Sequence, residues 1–453
     1  MSAYLSRTPS STGNRRTFTM SVWVKKLNDA QAELMGAGPS NDQNHIQFEN
    51  DRFQIRHYAG SNDIIVNTAA VYRDKAAWYH LVMAVDTTQS TSSNRVKIYV
   101  NGELQSLNDT TYPSQNYDWD YNLSGTTMYI GRRGHSAAYY FIGSMAHYHW
   151  IDGTQYAASD FGETDSTTGI WKPILTPSVT YGTNGFFLKF DNTSNFGEDS
   201  SGNNNDWTMA NTITQTLDTP SNSFNVLNGN SNPTNGYTLS NGNTESTVTG
   251  QSFVRTYIAN TLAPSSGKWY WESKLITSGG SDRTSIGICS YEENIGTGTT
   301  IPQNELSICT GYSRIRFTEN GSTTEVDSFY TVPSANDIFM YALDLDNTKF
   351  YFGINGVWWN YNSSETGGDP TSGSGYVTNS TNIIKGAMSA FLRVQAGAVS
   401  TTFTNQFNFG NGYFGTNAVS SAGTNAGIGI FEYDVPSGYK ALCTKNINAE
   451  EYS

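Results

Sequence analysis

His147 and His149 stand two residues apart in the segment YFIGSMAHYHWIDG. On an extended strand alternate side chains share a face, so the two imidazoles are presented together as a metal pair would be. No third ligand follows nearby, and Tyr148 and Trp150 mark the opposite face as core, so the pair reads as ordinary strand histidines. His45, His57, His80 and His135 also precede residue 150, which leaves the second half of the chain without an imidazole base of its own. No Ser-His-Asp or Cys-His arrangement has local support.

Carboxylates are the other candidates for chemistry. A retaining glycosidase needs two carboxyl groups about 5 Å apart, which on a strand means an alternating acidic pattern facing one groove. The nearest pairs are Glu163/Asp165, Glu325/Asp327 and Asp344/Asp346, the first two in loop-like text and the third flanking a turn. They read as solvated turn residues, and catalysis is not expected. Oxygen-rich DNTSNFGEDSSGNNND, at 191–206, lacks the EF-hand spacing. Asp199, Asn203 and Asp206 could form a looser calcium site, but a turn held by Asx hydrogen bonds accounts for the same residues. No cofactor is expected, with Ca2+ the minor alternative.

The more informative residues are aromatic. YPSQNYDWDYNLSG places Tyr112, Tyr117, Trp119 and Tyr121 among Asp, Asn and Gln in a loop, and GHSAAYYF adds Tyr139 and Tyr140. Sugars present apolar C–H faces and hydroxyl edges, which flat rings beside amides and carboxylates satisfy together. These six are the candidate carbohydrate-binding residues. The competing reading is that the rings fill the ends of a sandwich or a subunit interface.

Such residues need a scaffold, and the composition says which kind. Of 453 residues only 14% are charged, against about 25% in typical domains, and the difference is taken up by Gly, Ser, Thr and Asn with 28 Tyr, 22 Phe and 10 Trp. That mixture disfavours helices and suits pleated, half-buried surfaces. The net charge is −13, divided as 15 basic against 21 acidic residues before about residue 225 and 11 against 18 after it. Neither half carries the cationic footprint of a nucleic-acid binder. The first residues hold no apolar run for a signal peptide or membrane span, and Cys289, Cys309 and Cys443 are too few for a disulfide framework.

Strand rhythm is clearest in RVKIYVNGEL, where Val96, Ile98 and Val100 alternate with Lys97 and Tyr99 before an Asn101-Gly102 turn. The fold class expected is all-β, with two antiparallel β-sandwich (jelly-roll) domains in tandem. The first is placed at 1–190 and the second at 226–453. An Asn/Ser/Gly-rich junction at 191–225 is expected, with Phe196, Trp207, Leu217 and Phe224 spaced as though to pin it onto the sandwiches.

FTMSVWVKK at 18–26, WYHLVMAVD at 78–86, VKIYVNGEL at 96–104, MYIGRR at 128–133 and YFIGSMAHYHWIDG at 140–153 together resemble the laminin-G, concanavalin-A-like jelly-roll family. The second half resembles a SPRY (B30.2-like) domain through SSGKWYWESKLI at 265–276, SIGIC at 285–289, DIFMYALDLDNTKFYFGINGVWW at 337–359 and NQFNFGNGYF at 405–414. IDGTQYAASDFGETDSTTGIWKP, DTPSNSFNVLN and PSGYKALCTKN are similar to proteins of marine tailed phages.

These resemblances imply a structural protein on the virion surface, a tail fibre, appendage or capsid decoration assembled in the host cytoplasm. Its implied partners are other capsid or tail proteins and a host cell-surface glycan, with neither nucleic acid nor membrane insertion. The chain is expected to be a homo-oligomer, trimeric by analogy with fibre proteins, although no heptad stretch enforces a stalk. A virion-borne polysaccharide-degrading enzyme and a pure protein-interaction or capsid-cementing module are the alternatives.

Overall fold

The computed structural model describes residues 3–27, 31–167, 169–229, 237–249, 255–277, 283–290, 304–309, 313–327, 330–361, 365–378, 380–395 and 402–451. The chain divides into two compact units, Met1–Gln215 and Thr216–Ser453. Both are built almost wholly of antiparallel strands, and the single α-helix among the described residues, Thr444–Glu451, is neither long nor apolar enough to cross a membrane.

In the first unit the central strand is Thr17–Lys26, paired on one side with Tyr79–Asp86 and on the other with Gly143–Asp152 in a six-stranded sheet. An eight-stranded sheet lies opposite, running from the edge strand Leu107–Thr111 through Asn62–Thr68, Arg52–Tyr58, Gln43–Glu49 and Ala32–Ala37. The period of two in each strand sends Phe18, Met20, Val22, Leu81 and Met83 from one sheet against Leu34, Ile46, Phe53, Ile55 and Val66 from the other. Fully burying each such side chain contributes about 1.5–3 kcal/mol. Val96, Ile98 and Val100 join this core as their alternation predicts. Asn101 and Gly102 both adopt positive φ, 49° and 88°, in the turn to Glu103–Leu104.

The outer face of the six-stranded sheet is also covered, by a short hairpin of Gly162–Thr164 and Trp171–Pro173 and its flanking chain. Val82, Ala84 and Ile151 pack there beneath Phe161, Tyr156 and Trp171. A strand buried on both faces has room for polar side chains only if they are bonded. His80 shows how: its Nε2 lies 2.8 Å from Ser21 Oγ, and its Nδ1 accepts the Trp171 indole N–H at 3.0 Å.

The second unit repeats the principle with a nine-stranded and a six-stranded sheet. Trp269, Trp271, Phe339, Tyr341 and Phe350 of the first meet Ile286, Ile288, Leu306, Ile315 and Leu392 of the second. The turn at Asp346-Asn347 joins Ile338–Asp344 to Lys349–Ile354, with Asn347 donating its N–H to Asp344 Oδ1 at 3.0 Å. A second apolar layer, with Tyr270, Phe431, Tyr439 and Cys443, forms where the segment after residue 409 crosses the outer face of the larger sheet. Its anchor is the buried Glu272 carboxylate, which accepts the backbone N–H groups of Glu432 and Tyr433, each at 2.9 Å, and the Tyr270 hydroxyl at 2.9 Å. The three cysteines are buried and form no disulfide.

Candidate functional site

One end of the first sandwich carries a depression of about 530 Å3 between the two sheets. Its walls come from three places. Asp63 and Ile64 open the strand Asn62–Thr68, Ser92 and Arg95 belong to the short 3-10 turn before Val96–Val100, and Thr110 ends the edge strand whose following loop adds Tyr112, Pro113, Ser114 and Tyr117. Arg95 shapes it. Its Nε donates to the Gln89 carbonyl at 2.8 Å, Nη1 to that of Pro113 at 2.9 Å and Nη2 to that of Ser90 at 3.0 Å, so one guanidinium ties two loops together.

Tyr112 and Tyr117 supply the rings. Both are half-buried with their inner edges against the core. Tyr117 meets His57 at 5.7 Å between ring centroids and Trp119 at 5.2 Å, each edge to face. Burial, reinforced by the carboxylates of Asp42, Asp120 and Asp63, raises the Tyr117 hydroxyl above its usual range, so it stays a neutral donor. Behind it His57 bonds Asp42 through Nε2, and its Nδ1 lies 3.5 Å from Asp63. Burial and the neighbouring Asp42 raise Asp120, although Arg15 bonds it at 3.2 Å.

The six aromatic candidates therefore fall into three places. Tyr112 and Tyr117 line the depression. Trp119 and Tyr121 do not: both are fully buried in the core, stacked on each other at 6.2 Å and edge-on to Phe18, with the Tyr121 hydroxyl bonding the Met35 carbonyl at 3.2 Å. They are corrected from ligand contacts to core, because the loop after Tyr117 turns inward and lays both rings against Phe18. Tyr139 and Tyr140 lie in the loop that packs on Ala32–Ala37, three to four strands across the sheet from the depression, or roughly 15–20 Å at the usual strand spacing. Tyr139 is exposed, yet one ring face already carries the Arg133 guanidinium, 3.7 Å from its centroid. Tyr140 lies beside Tyr4, centroids 6.3 Å apart.

The other candidates are occupied too. His149 is buried between Phe187, centroids 3.9 Å apart, and Tyr181, whose hydroxyl is 2.9 Å from Nδ1; burial drives its imidazole well below the ordinary range. Each acidic pair faces cations or backbone donors: Glu163 and Asp165 meet Lys172 at 3.5 and 3.0 Å, Glu325 and Asp327 meet Arg314, Asp344 meets Lys268 at 2.9 Å, and Asp346 accepts the Gly267 N–H. Asp199 accepts the N–H groups of Phe187, Ser201 and Asn205 and the Ser201 hydroxyl, all within 2.9 Å, while Asp206 accepts the Asp199 N–H. Asn203 turns its amide to the Gly182 and Gly185 carbonyls. These oxygens order the loop. Among the described residues no group of three or more His, Cys, Asp or Glu is arranged to hold a metal.

Sequence reasoning missed Asp63, Arg95 and the His57–Asp42 pair, which only folding brings beside Tyr117. It also missed Glu33 and His45, buried on adjacent strands with 3.0 Å between Glu33 Oε2 and His45 Nδ1. Burial pushes Glu33 well up and His45 down to about 3, each towards its neutral form.

Residues 2–159, which include every wall of the depression, match the family described as the concanavalin A-like lectin/glucanases superfamily. The chain is similar in structure to mouse laminin alpha1 domains LG4-5, at 9% identity over 89% of this chain and 90% of that one with a TM-score of 0.28. It is similar to the SPRY domain of human HERC1, at 12% identity over 38% and 91% with a TM-score of 0.27. A Ruminococcus gnavus IT-sialidase CBM40, solved with alpha2,3 sialyllactose, matches at 18% identity over 31% and 89% with a TM-score of 0.23. No curated protein matches the chain.

Proposed function

We propose that this chain is a non-enzymatic carbohydrate-binding protein on the surface of a virus particle, mounted on the capsid or tail and contacting a host cell-surface glycan. The observation that carries the binding role is the rim depression itself: two half-buried tyrosines, the Asp63 carboxylate and the hydroxyls of Ser92, Thr110 and Ser114, on a jelly roll matching a lectin-type family. Rings accept the sugar's C–H face while the polar edge bonds its hydroxyls.

Binding without turnover is favoured by the lining, in which Asp63 is the single carboxylate where glycoside hydrolysis needs two. The virion setting rests on the likeness of the IDGTQYAASDFGETDSTTGIWKP and DTPSNSFNVLN segments to tailed-phage proteins. Many copies on one particle would multiply a weak single-site affinity.

The test is retention on an array of cell-surface glycans beside an assay for new reducing ends. Retention without new ends, abolished by Tyr117→Ala, supports the reading; release of reducing ends makes the protein an enzyme. Antibody labelling of intact particles tests the virion placement, and unlabelled particles would reject it.

A further inference from the structure

We infer that the rim depression selects neutral sugars and rejects acidic ones, an inference that rests on the carbohydrate-binding reading. Recognition of a sialic acid, uronate or sulfated sugar requires a cationic donor with hydrogen-bonding capacity directed at the ligand. The lining holds one cation, Arg95, and each of its three guanidinium nitrogens donates to a backbone carbonyl, at Gln89, Ser90 or Pro113. Three of its five N–H donors are thus committed to the loops, and the carboxylate beside it sets the balance of the site.

The anionic side is the opposite. Asp63 forms part of the wall with its side chain 44% accessible, its carboxylate engaged by the Ser61 hydroxyl at 2.7 Å and by the approach of His57. Two more carboxylates, Asp42 and Asp120, act with Asp63 on the Tyr117 hydroxyl, opposed by Arg15. A carboxylate has about four acceptor positions, so Asp63 retains capacity for sugar hydroxyl donors. A ligand carboxylate or sulfate placed there would instead meet like charge, in a chain whose net charge is −13. The Tyr117 hydroxyl is one neutral donor of the lining, beside those of Tyr112, Ser92, Thr110 and Ser114. The site is thus acceptor-rich, suited to the hydroxyl edge of an uncharged hexose.

The experiment uses the full chain and matched pairs of oligosaccharides differing by one acidic residue, such as lactose and its alpha2,3-sialylated derivative, within an array of neutral and acidic glycans. Expected is at least tenfold weaker binding of the acidic member of the preferred pair, equivalent to about 1.4 kcal/mol. Asp63→Asn should narrow that ratio, as should raising the salt from 20 mM to 0.5 M. Equal or tighter binding of acidic members overturns the selectivity while leaving carbohydrate binding standing. A chain that retains neither class overturns both. A ratio unmoved by Asp63→Asn and by salt removes the electrostatic basis argued here.

Discussion

The ring of Tyr117 stands edge-on to that of Trp119, centroids 5.2 Å apart, so a wall of the rim depression rests directly on a side chain of the core. Two residues apart in sequence, they have different work. Tyr117→Ala is expected to abolish glycan retention with a modest loss of stability, because the ring is half-buried. Trp119→Ala opens a cavity and should cost about 3–5 kcal/mol. Calorimetry together with array binding separates the two; equal destabilisation by both would contradict the assignment.

Arg95 gives a second prediction. Removing its guanidinium in Arg95→Ala leaves three carbonyls without their donor, and the loops around Gln89 and Pro113 should exchange amide hydrogens faster. Arg95→Lys should not restore protection, since an ammonium cannot reach three carbonyls with the geometry of a planar fork. Hydrogen exchange read by mass spectrometry checks this, and unchanged protection in both variants would refute it.

Glu272 makes the second unit sensitive to rising pH. Burial pushes its carboxyl up to about 7, against the lowering pull of the Glu432 and Tyr433 N–H groups and of Tyr270 and Asn408. The folded state therefore holds a proton that the unfolded chain releases near pH 4.5, and the associated stability is complete below 4.5 and lost as pH rises through 7. The difference is on the order of 3 kcal/mol. Glu272→Gln should flatten the pH dependence of this unit's unfolding between pH 5 and 8, and exchange at Glu432 and Tyr433 should report the same change. A slope identical to wild type would dismiss Glu272 as its source.

His80 acts in the other direction in the first unit. Burial, with a smaller push from His147, lowers its imidazole to about 3, so the unfolded chain binds a proton below 6.5 that the folded chain refuses. Its contribution is present above pH 6.5 and falls as pH drops towards 3, by about 2 kcal/mol at pH 5. Glu33, raised by burial, opposes it in the same window. The informative quantity is therefore the difference between wild type and His80→Asn, whose unfolding should lose less stability between pH 7 and 5.

How much of this was legible in the residues depends on distance along the chain. Alternation at Val96, Ile98 and Val100 and the Asn101-Gly102 turn are local, and the all-β class followed from them and from the composition. Tyr112 and Tyr117 were found because aromatic rings in a polar loop stand out. Trp119 and Tyr121 share that loop and look no different in it; burial is a property of what closes over a ring. Asp63 and Arg95 come from separate strands and turns, so their meeting depends on register and sheet packing that no short window contains. The pairing of Glu33 with His45 is of the same kind, set by a strand pairing with a shifted register between Glu33 and Met35.

The confinement of every histidine to the first 149 residues has a practical outcome. In a chain labelled with isotope only at histidine, each imidazole resonance reports on one unit while the other stays silent. Of the six, His57 lies against the ring of Tyr117. Its ring signals would move when a ligand displaces that tyrosine's surroundings, giving a spectroscopic readout of occupancy that needs no dye, no mutation and no knowledge of which sugar has bound.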